Sequence, residues 1–149
     1  MFDAYVASIL SKWGLIISWS ISIVAVLGSL YFSEVAGYVP CTLCWFQRIF
    51  MYPLAVILGI ASYRGDTHIT NYVLPFSIIG GSFSLYHYLE QKISYFGELT
   101  PCRVGIPCNV EYINWFGFIT IPFLALACFF LITVIMWIIR RDTLHKGKN

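Results

Sequence analysis

Charge is scarce in this chain, and the scarcity excludes most soluble folds. Asp, Glu, Lys and Arg make up 11% of its 149 residues, whereas hydrophobic residues make up 59%. In an ordinary soluble domain the charged share is about 25%. A single domain of this length cannot hide so much apolar surface from water. The composition therefore predicts an integral membrane protein in which residues 1–149 form one domain.

Several common functional motifs are also missing. The net charge is only +2 and there is no long basic run, so nucleic acid is not an expected partner. No phosphate loop, flavin motif or internal repeat is present, and Trp45 follows Cys44 where a haem-attachment motif requires His. The alternation of a membrane β-barrel is absent too. Helices are therefore the expected way to satisfy the backbone in lipid.

Apolar segments of membrane-spanning length occupy much of the chain. They cover residues 13–32, 45–63, 69–89 and 113–139, and a helix needs about 20 residues to cross the hydrocarbon core. The charge-free part of the second segment is shorter, so its helix is expected to start near Trp45, which draws Gln47 and Arg48 into the outer leaflet. A signal peptide over the first segment is disfavoured because no clear cleavage site follows it. The prediction is an all-α, polytopic bundle of four transmembrane helices.

Lys and Arg predict the orientation of this bundle. Cytoplasmic connections hold an excess of these residues. With both termini inside, six lie on the cytoplasmic side and three at or beyond the outer edge; the outer three are Arg48, Lys92 and Arg103. The expected topology is N-in/C-in in the cell membrane, with two short extracytoplasmic loops, near residues 33–44 and 90–111.

Four of the five cysteines fall in these outward loops. Cys41 and Cys44 form a C-x-x-C, Cys102 and Cys108 lie in TPCRVGIPCN, and Cys128 lies mid-span, where no role is predicted. A thiol at a helix N-terminus loses pKa and gains reactivity, which favours a redox-active first pair. An inert staple remains an alternative for each pair. A four-cysteine zinc site is disfavoured by the wide second spacing, and no metal is predicted.

Two polar residues are expected at the depth of the C-x-x-C. Arg48 lies four residues after Cys44 and shares its helix face, and His87 lies near the outer end of the third span. Ionisable groups in a membrane suggest function by default. Snorkelling of Arg48 and a structural hydrogen bond from His87 are the plainer alternatives. Together with the thiol pair, they predict a lipid-soluble electron acceptor beside Cys44, bound by Arg48, His87 and Gln47.

Several motifs resemble those of one family. P-C-T-L-C-W-F-Q-R at 40–48, the paired second loop, YHYLEQ at 86–91 and WFGFITIPF at 115–123 resemble the DsbB-type quinone-dependent thiol oxidases, and within them the BdbC branch. The resemblance covers nearly the whole chain. Compared with the better-studied branch, the two second-loop cysteines here are close together.

The resemblance implies a mechanism. A reduced, extracytoplasmic thioredoxin-like partner would attack Cys102, and the released Cys108 would attack Cys41. Cys44 would then pass electrons to menaquinone or ubiquinone, with Arg48 holding a quinone oxygen and His87 nearby. The alternatives are a non-catalytic, disulfide-stapled membrane scaffold and a reductase that carries electrons outward. The reductase is disfavoured because no cysteine faces the cytoplasm.

Overall fold

The structure, a computed structural model, describes residues 2–93, 107–108 and 111–146. It has four long helices: α1 (Phe2–Leu30), α2 (Thr42–Arg64), α3 (Thr70–Lys92) and α4 (Ile121–Lys146). A short π-helical turn, Tyr31–Val35, extends α1, and a 3-10 turn, Thr67–Ile69, precedes α3. No β-strand occurs in the described ranges. The predicted all-α class is confirmed.

The helices pack in the order in which they follow one another. Each contacts its neighbour in sequence, and α4 closes the bundle against α1. The turn between α2 and α3 is tight because Gly65 adopts φ 66° and its N–H binds Ala61 O. The Asp66 carboxylate then accepts a 2.9 Å hydrogen bond from the backbone N–H of His68. This connection is the short turn that the sequence predicts.

The bundle is apolar both inside and outside. Leu54, Leu58 and Ile132 are buried in its central core. Large apolar side chains also face outward, including Val24, which is 67% exposed, and Phe130, which is 64% exposed. So much exposed apolar surface suits lipid rather than water.

Three of the four helices are long and apolar enough to cross a membrane. The candidate spans are Ser11–Val35, Thr42–Arg64 and Ile121–His145. The predicted third span forms α3, whose 23 residues correspond to about 35 Å. It does not qualify by hydropathy, since it carries polar groups such as Ser77, Ser84 and His87, which it buries toward the bundle.

The predicted start of the fourth span is wrong. Helix α4 begins at Ile121 rather than at residue 113. Before it, Trp115 and Ile119 exchange backbone hydrogen bonds of 2.9 and 3.0 Å, which close a turn in which Phe116 and Gly117 have φ 55° and 81°. Two successive residues with positive φ cannot continue a right-handed helix. Hydropathy alone does not detect this turn, because four of its five residues are apolar.

Close packing of α3 on α4 fixes the position of α3. A Cβ atom at Gly80 would overlap the ring of Phe129, so only glycine allows this approach. One turn toward the cytoplasmic end, Thr133 Oγ1 donates a 2.9 Å hydrogen bond to Ser77 Oγ. These contacts hold the helix that carries His87.

Candidate active site

The C-x-x-C lies at the N-terminus of α2, as predicted. Cys41 is the N-cap residue, with an extended backbone, and Cys44 lies in the first turn. Both are free thiols. Their sulfurs are 3.1 Å apart, within hydrogen-bond distance of each other. The helix begins three residues before the predicted Trp45, so the pair belongs to the first turn and not to a loop preceding it.

Cys41 has the environment of a stabilised thiolate. The hydrogen bond from Cys44 and a smaller contribution from His87 lower the pKa of Cys41 from 9.0 to about 4, against the opposing effect of burial. Positive charge or hydrogen-bond donors near sulfur favour the ionised form. The helix N-terminus predicted a low pKa within the motif and the spacing of Arg48 predicted a stabilised thiolate at Cys44, whereas the lowered pKa belongs to Cys41.

His87 connects the motif to the second outward loop. Its Nε2 lies 3.1 Å from the Cys108 carbonyl oxygen and 3.6 Å from Cys41 Sγ. The Gln47 amide lies 3.0 Å from Nδ1. A carbonyl oxygen only accepts, so Nε2 carries the proton and Nδ1 accepts from Gln47. The ring therefore points its Nε2–H at the loop.

Cys108 lies against the C-x-x-C. It is 2% exposed and packs in a cluster with Cys41 and Leu43. Cys108 is disulfide-bonded. Its predicted partner, Cys102, lies outside the described residues, so that pairing stays a prediction. What the described residues establish is that the second loop brings one sulfur to the motif.

Two cavities of very different size adjoin the motif. The smaller, of about 20 Å³, lies where Cys41, His87, Cys108 and Tyr112 meet, and has room for one water at most. The larger, of about 400 Å³, lies among α1, α2 and α4 and is mainly apolar. Its volume is within the range of pockets that bind small organic molecules. Cys44 lines both cavities.

Two of the three predicted ligand-binding residues line the larger cavity. Arg48 and Gln47 line it beside Cys44. Arg48 Nη2 donates a 3.1 Å hydrogen bond to Ser29 O, and its guanidinium lies 5.4 Å from the centre of the Trp45 ring. These contacts hold the cation at the cavity wall. His87 lines the smaller cavity and is not among the residues described around the larger one.

Some residues of the site have no signal in the sequence. Tyr52 and Tyr112 line the larger cavity, as does Cys128, to which no role was assigned. Tyr52 follows Arg48 by four residues, a spacing that places both on one helix face. Tyr112 and Cys128 come from distant parts of the chain, and only the packing of the bundle reveals them.

A metal ion is a separate possibility that the geometry raises. The ligand atoms of Cys41, Cys44 and His87 lie within 4.8 Å of one another, a donor set that soft cations prefer. The set exists only while both thiols are reduced. It differs from the four-cysteine site weighed on the sequence, because Cys108 is disulfide-bonded and provides no thiolate.

Comparison with known proteins agrees with this geometry. The family model for disulfide bond formation protein DsbB matches residues 11–139. The chain is 56% identical over 125 residues to disulfide bond formation protein C of Bacillus subtilis (strain 168), covering 84% of this chain and 91% of the relative. It is 52% identical over 131 residues to probable disulfide formation protein C 1 of Bacillus cereus (strain ATCC 10987 / NRS 248), covering 88% and 94%.

A third relative extends the similarity to another genus. Probable disulfide formation protein C of Halalkalibacterium halodurans is 50% identical over 125 residues, covering 84% of this chain and 91% of that one. No solved structure matches the chain. The family model covers most of the chain, and the helices supply three candidate spans. The chain therefore belongs to the disulfide bond formation protein DsbB family and is a multi-pass membrane disulfide oxidoreductase.

Proposed function

We propose that this protein oxidises a dithiol partner on the outer side of the membrane and delivers the electrons to a quinone in the bilayer. The observation that carries the proposal is the position of Cys44. Its sulfur contacts Cys41 at 3.1 Å, and its side chain also lines the cavity that holds Arg48. The motif therefore connects a disulfide on one side with an apolar binding space on the other.

The thiol steps balance through two disulfide exchanges. A thiolate of a thioredoxin-like partner attacks Cys102, which breaks the Cys102–Cys108 bond and releases Cys108 as a thiolate. Cys108 attacks Cys41, and the Cys41–Cys44 bond breaks with its electron pair on Cys44. The second partner thiol and Cys102 then resolve the mixed disulfides, so the partner leaves oxidised and the C-x-x-C holds two electrons.

The larger cavity fits the chemistry of a quinone. Its walls are mainly apolar, and its volume accommodates a quinone head group of one or two fused rings. Arg48 and Gln47 supply hydrogen-bond donors for a carbonyl oxygen. When bound, a quinone provides a two-electron acceptor that is more oxidising than thiol buffers. The protein contributes a donor-lined wall, exclusion of water and a sulfur at the boundary. Menaquinone and ubiquinone both satisfy these requirements.

A cysteine of the larger cavity provides the test. The full chain, in lipid nanodiscs, is supplied with a reduced thioredoxin-like protein and a short-chain quinone, and quinone absorbance is followed. Cys44→Ser is expected to lower turnover to the background rate, because the sulfur that receives the electron pair is gone. Ser82→Ala, on the exposed face of α3 and outside both cavities, is the control and keeps the parent rate. Normal turnover in Cys44→Ser would reject the proposal and leave the scaffold as the better explanation.

A further inference from the structure

We propose that His87 is a positioning residue that docks the second outward loop onto the C-x-x-C and so holds Cys108 next to Cys41. The inference rests on the proposed function, in which these two cysteines exchange disulfides. It gives His87 a different task from the quinone contact expected from the sequence. It concerns the transfer between the two cysteine pairs.

One nitrogen of the imidazole contacts both partners in the exchange. Nε2 is 3.1 Å from the backbone oxygen of Cys108 and 3.6 Å from Cys41 Sγ. Because the hydrogen bond goes to a backbone carbonyl, it fixes the loop itself and not only a side chain. It does so at the residue whose sulfur has to react.

The ring is held in the orientation that this task requires. Gln47 donates to Nδ1 at 3.0 Å, so the proton stays on Nε2, and the imidazole is 2% exposed. A buried N–H donor on a packed helix is a rigid attachment point for a loop.

The described lining of the larger cavity comes from α1, α2, α4 and the segments next to them, and no residue of α3 contributes. His87 belongs to α3 and lines the smaller cavity. Gln47, which bonds the ring, lies between His87 and the larger cavity, whereas the ring itself contacts Cys108.

Docking raises the effective concentration of one sulfur for the other. A Cys108 thiolate attacks Cys41 Sγ, the Cys41–Cys44 bond breaks, and Cys44 takes the electron pair. Holding the attacking group near its target converts an encounter between a loop and a helix into a local rearrangement. Losing the anchor removes this hydrogen bond from the loop, for which we expect roughly a tenfold loss in effective concentration.

The decisive measurement needs neither quinone nor partner. In a Cys44→Ser, Cys102→Ser background, Cys41 and Cys108 are the remaining outward thiols, and equilibration with glutathione gives their effective concentration by alkylation and mass spectrometry. His87→Ala is expected to lower it about tenfold. His87→Gln keeps an N–H donor and is expected to recover part of the loss. His68→Ala, in the exposed turn before α3, is the matched control.

An unchanged effective concentration in His87→Ala would overturn the proposal. If that variant does not fold, the comparison of His87→Gln with His87→Leu decides, because only the former can donate to the carbonyl. The effective concentration of the two thiols can be independent of His87 even if the protein is a quinone-dependent oxidase. Conversely, a protein without quinone turnover could still show the docking effect, so the two failures are distinguishable.

A second measurement separates docking from quinone binding. In Cys108→Ser, dithiothreitol reduces the Cys41–Cys44 bond directly and electrons bypass the loop. Addition of His87→Ala to this background is expected to change quinone reduction by less than about twofold, whereas in the parent chain it slows turnover with the protein partner about tenfold. Equal losses with both donors would assign the ring to the acceptor side and reject the docking role.

Discussion

Cys41 and Cys44 are three residues apart, yet their surroundings differ. Cys41 faces a gap of about 20 Å³ with His87 and the loop sulfur of Cys108 around it. Cys44 also borders a mainly apolar cavity of about 400 Å³ with Arg48 in its wall. The first environment is tight and holds hydrogen-bond donors, and the second is open and apolar. Their difference separates the two halves of the reaction, because protein thiols need a precise contact and a lipid-soluble acceptor needs space.

One turn of helix produces this separation. Because α2 begins at Thr42 with Cys41 as its N-cap, the two sulfurs lie within one turn, 3.1 Å apart, and of the two cysteines only Cys44 also lines the larger cavity. The α3 side of α2 provides His87, and the α1 and α4 side provides the cavity. A substitution that alters the surroundings of one cysteine is therefore expected to leave those of the other in place.

The largest expected effect is on the ionisation of Cys41. Its pKa is lowered from 9.0 to about 4, chiefly by the hydrogen bond from Cys44. In reduced protein, iodoacetamide labelling of Cys41, followed by mass spectrometry across the acidic range, is expected to persist to about pH 4. Cys44→Ala removes the main donor and is expected to shift the midpoint upward by more than one pH unit. Cys128→Ser serves as the control.

The same shift makes the stability of the reduced protein depend on pH. Because the pKa of Cys41 is lower in the folded protein than in the unfolded chain, its ionisation stabilises the folded state. This contribution is complete above pH 9.0, the pKa of the unfolded chain, and is lost as the pH falls through about 4. Unfolding of the reduced protein is therefore expected to become easier on acidification over this window, and less so for Cys41→Ser. Identical labelling profiles in the parent chain and Cys44→Ala would show that the two surroundings do not differ in the way described.

The next effect concerns the cavity side. Arg48→Ala is expected to raise the KM for quinone by about 10- to 100-fold, since a hydrogen bond from a charged group contributes about 1.5–3 kcal/mol. Exchange between the protein partner and the cysteine pairs, followed by stopped-flow fluorescence without quinone, should change little. Arg48→Lys keeps the charge and should recover part of the affinity. A larger effect on partner exchange than on quinone KM would remove Arg48 from the acceptor site.

Local chemistry around the C-x-x-C could be predicted from the sequence. The position of the motif at a helix N-terminus, the shared face of Cys44 and Arg48 and the short turn near Gly65 follow from spacing and residue type, because the interactions involved are only a few residues apart; the predicted start at Trp45 was three residues late. The all-α class follows from hydropathy. These features need no knowledge of which helix neighbours which.

Tertiary placement accounts for what the sequence could not provide. Depth alone put His87 level with Arg48, but His87 lines the smaller cavity and Arg48 the larger one, and hydropathy does not encode which cavity a residue of α3 reaches. The turn at Phe116 and Gly117 was hidden within an apolar run. Tyr112 and Cys128 reach the larger cavity only because α4 and the segment before it pack there.

The smallest expected effect concerns the ion pair between Lys92 and Glu111, next to the second loop. Lys92 Nζ, at the end of α3, lies 2.9 Å from Glu111 Oε1, and both side chains are about a quarter exposed. Exposed pairs contribute less than about 1 kcal/mol. A double-mutant cycle of Lys92→Ala and Glu111→Ala by thermal unfolding should give a coupling of that size, and high salt should abolish it. The quinone KM should be unchanged in all members, since neither side chain lines the larger cavity. A coupling well above 1 kcal/mol, or a shift in that KM, would mean that the two sides of the motif are not energetically separate.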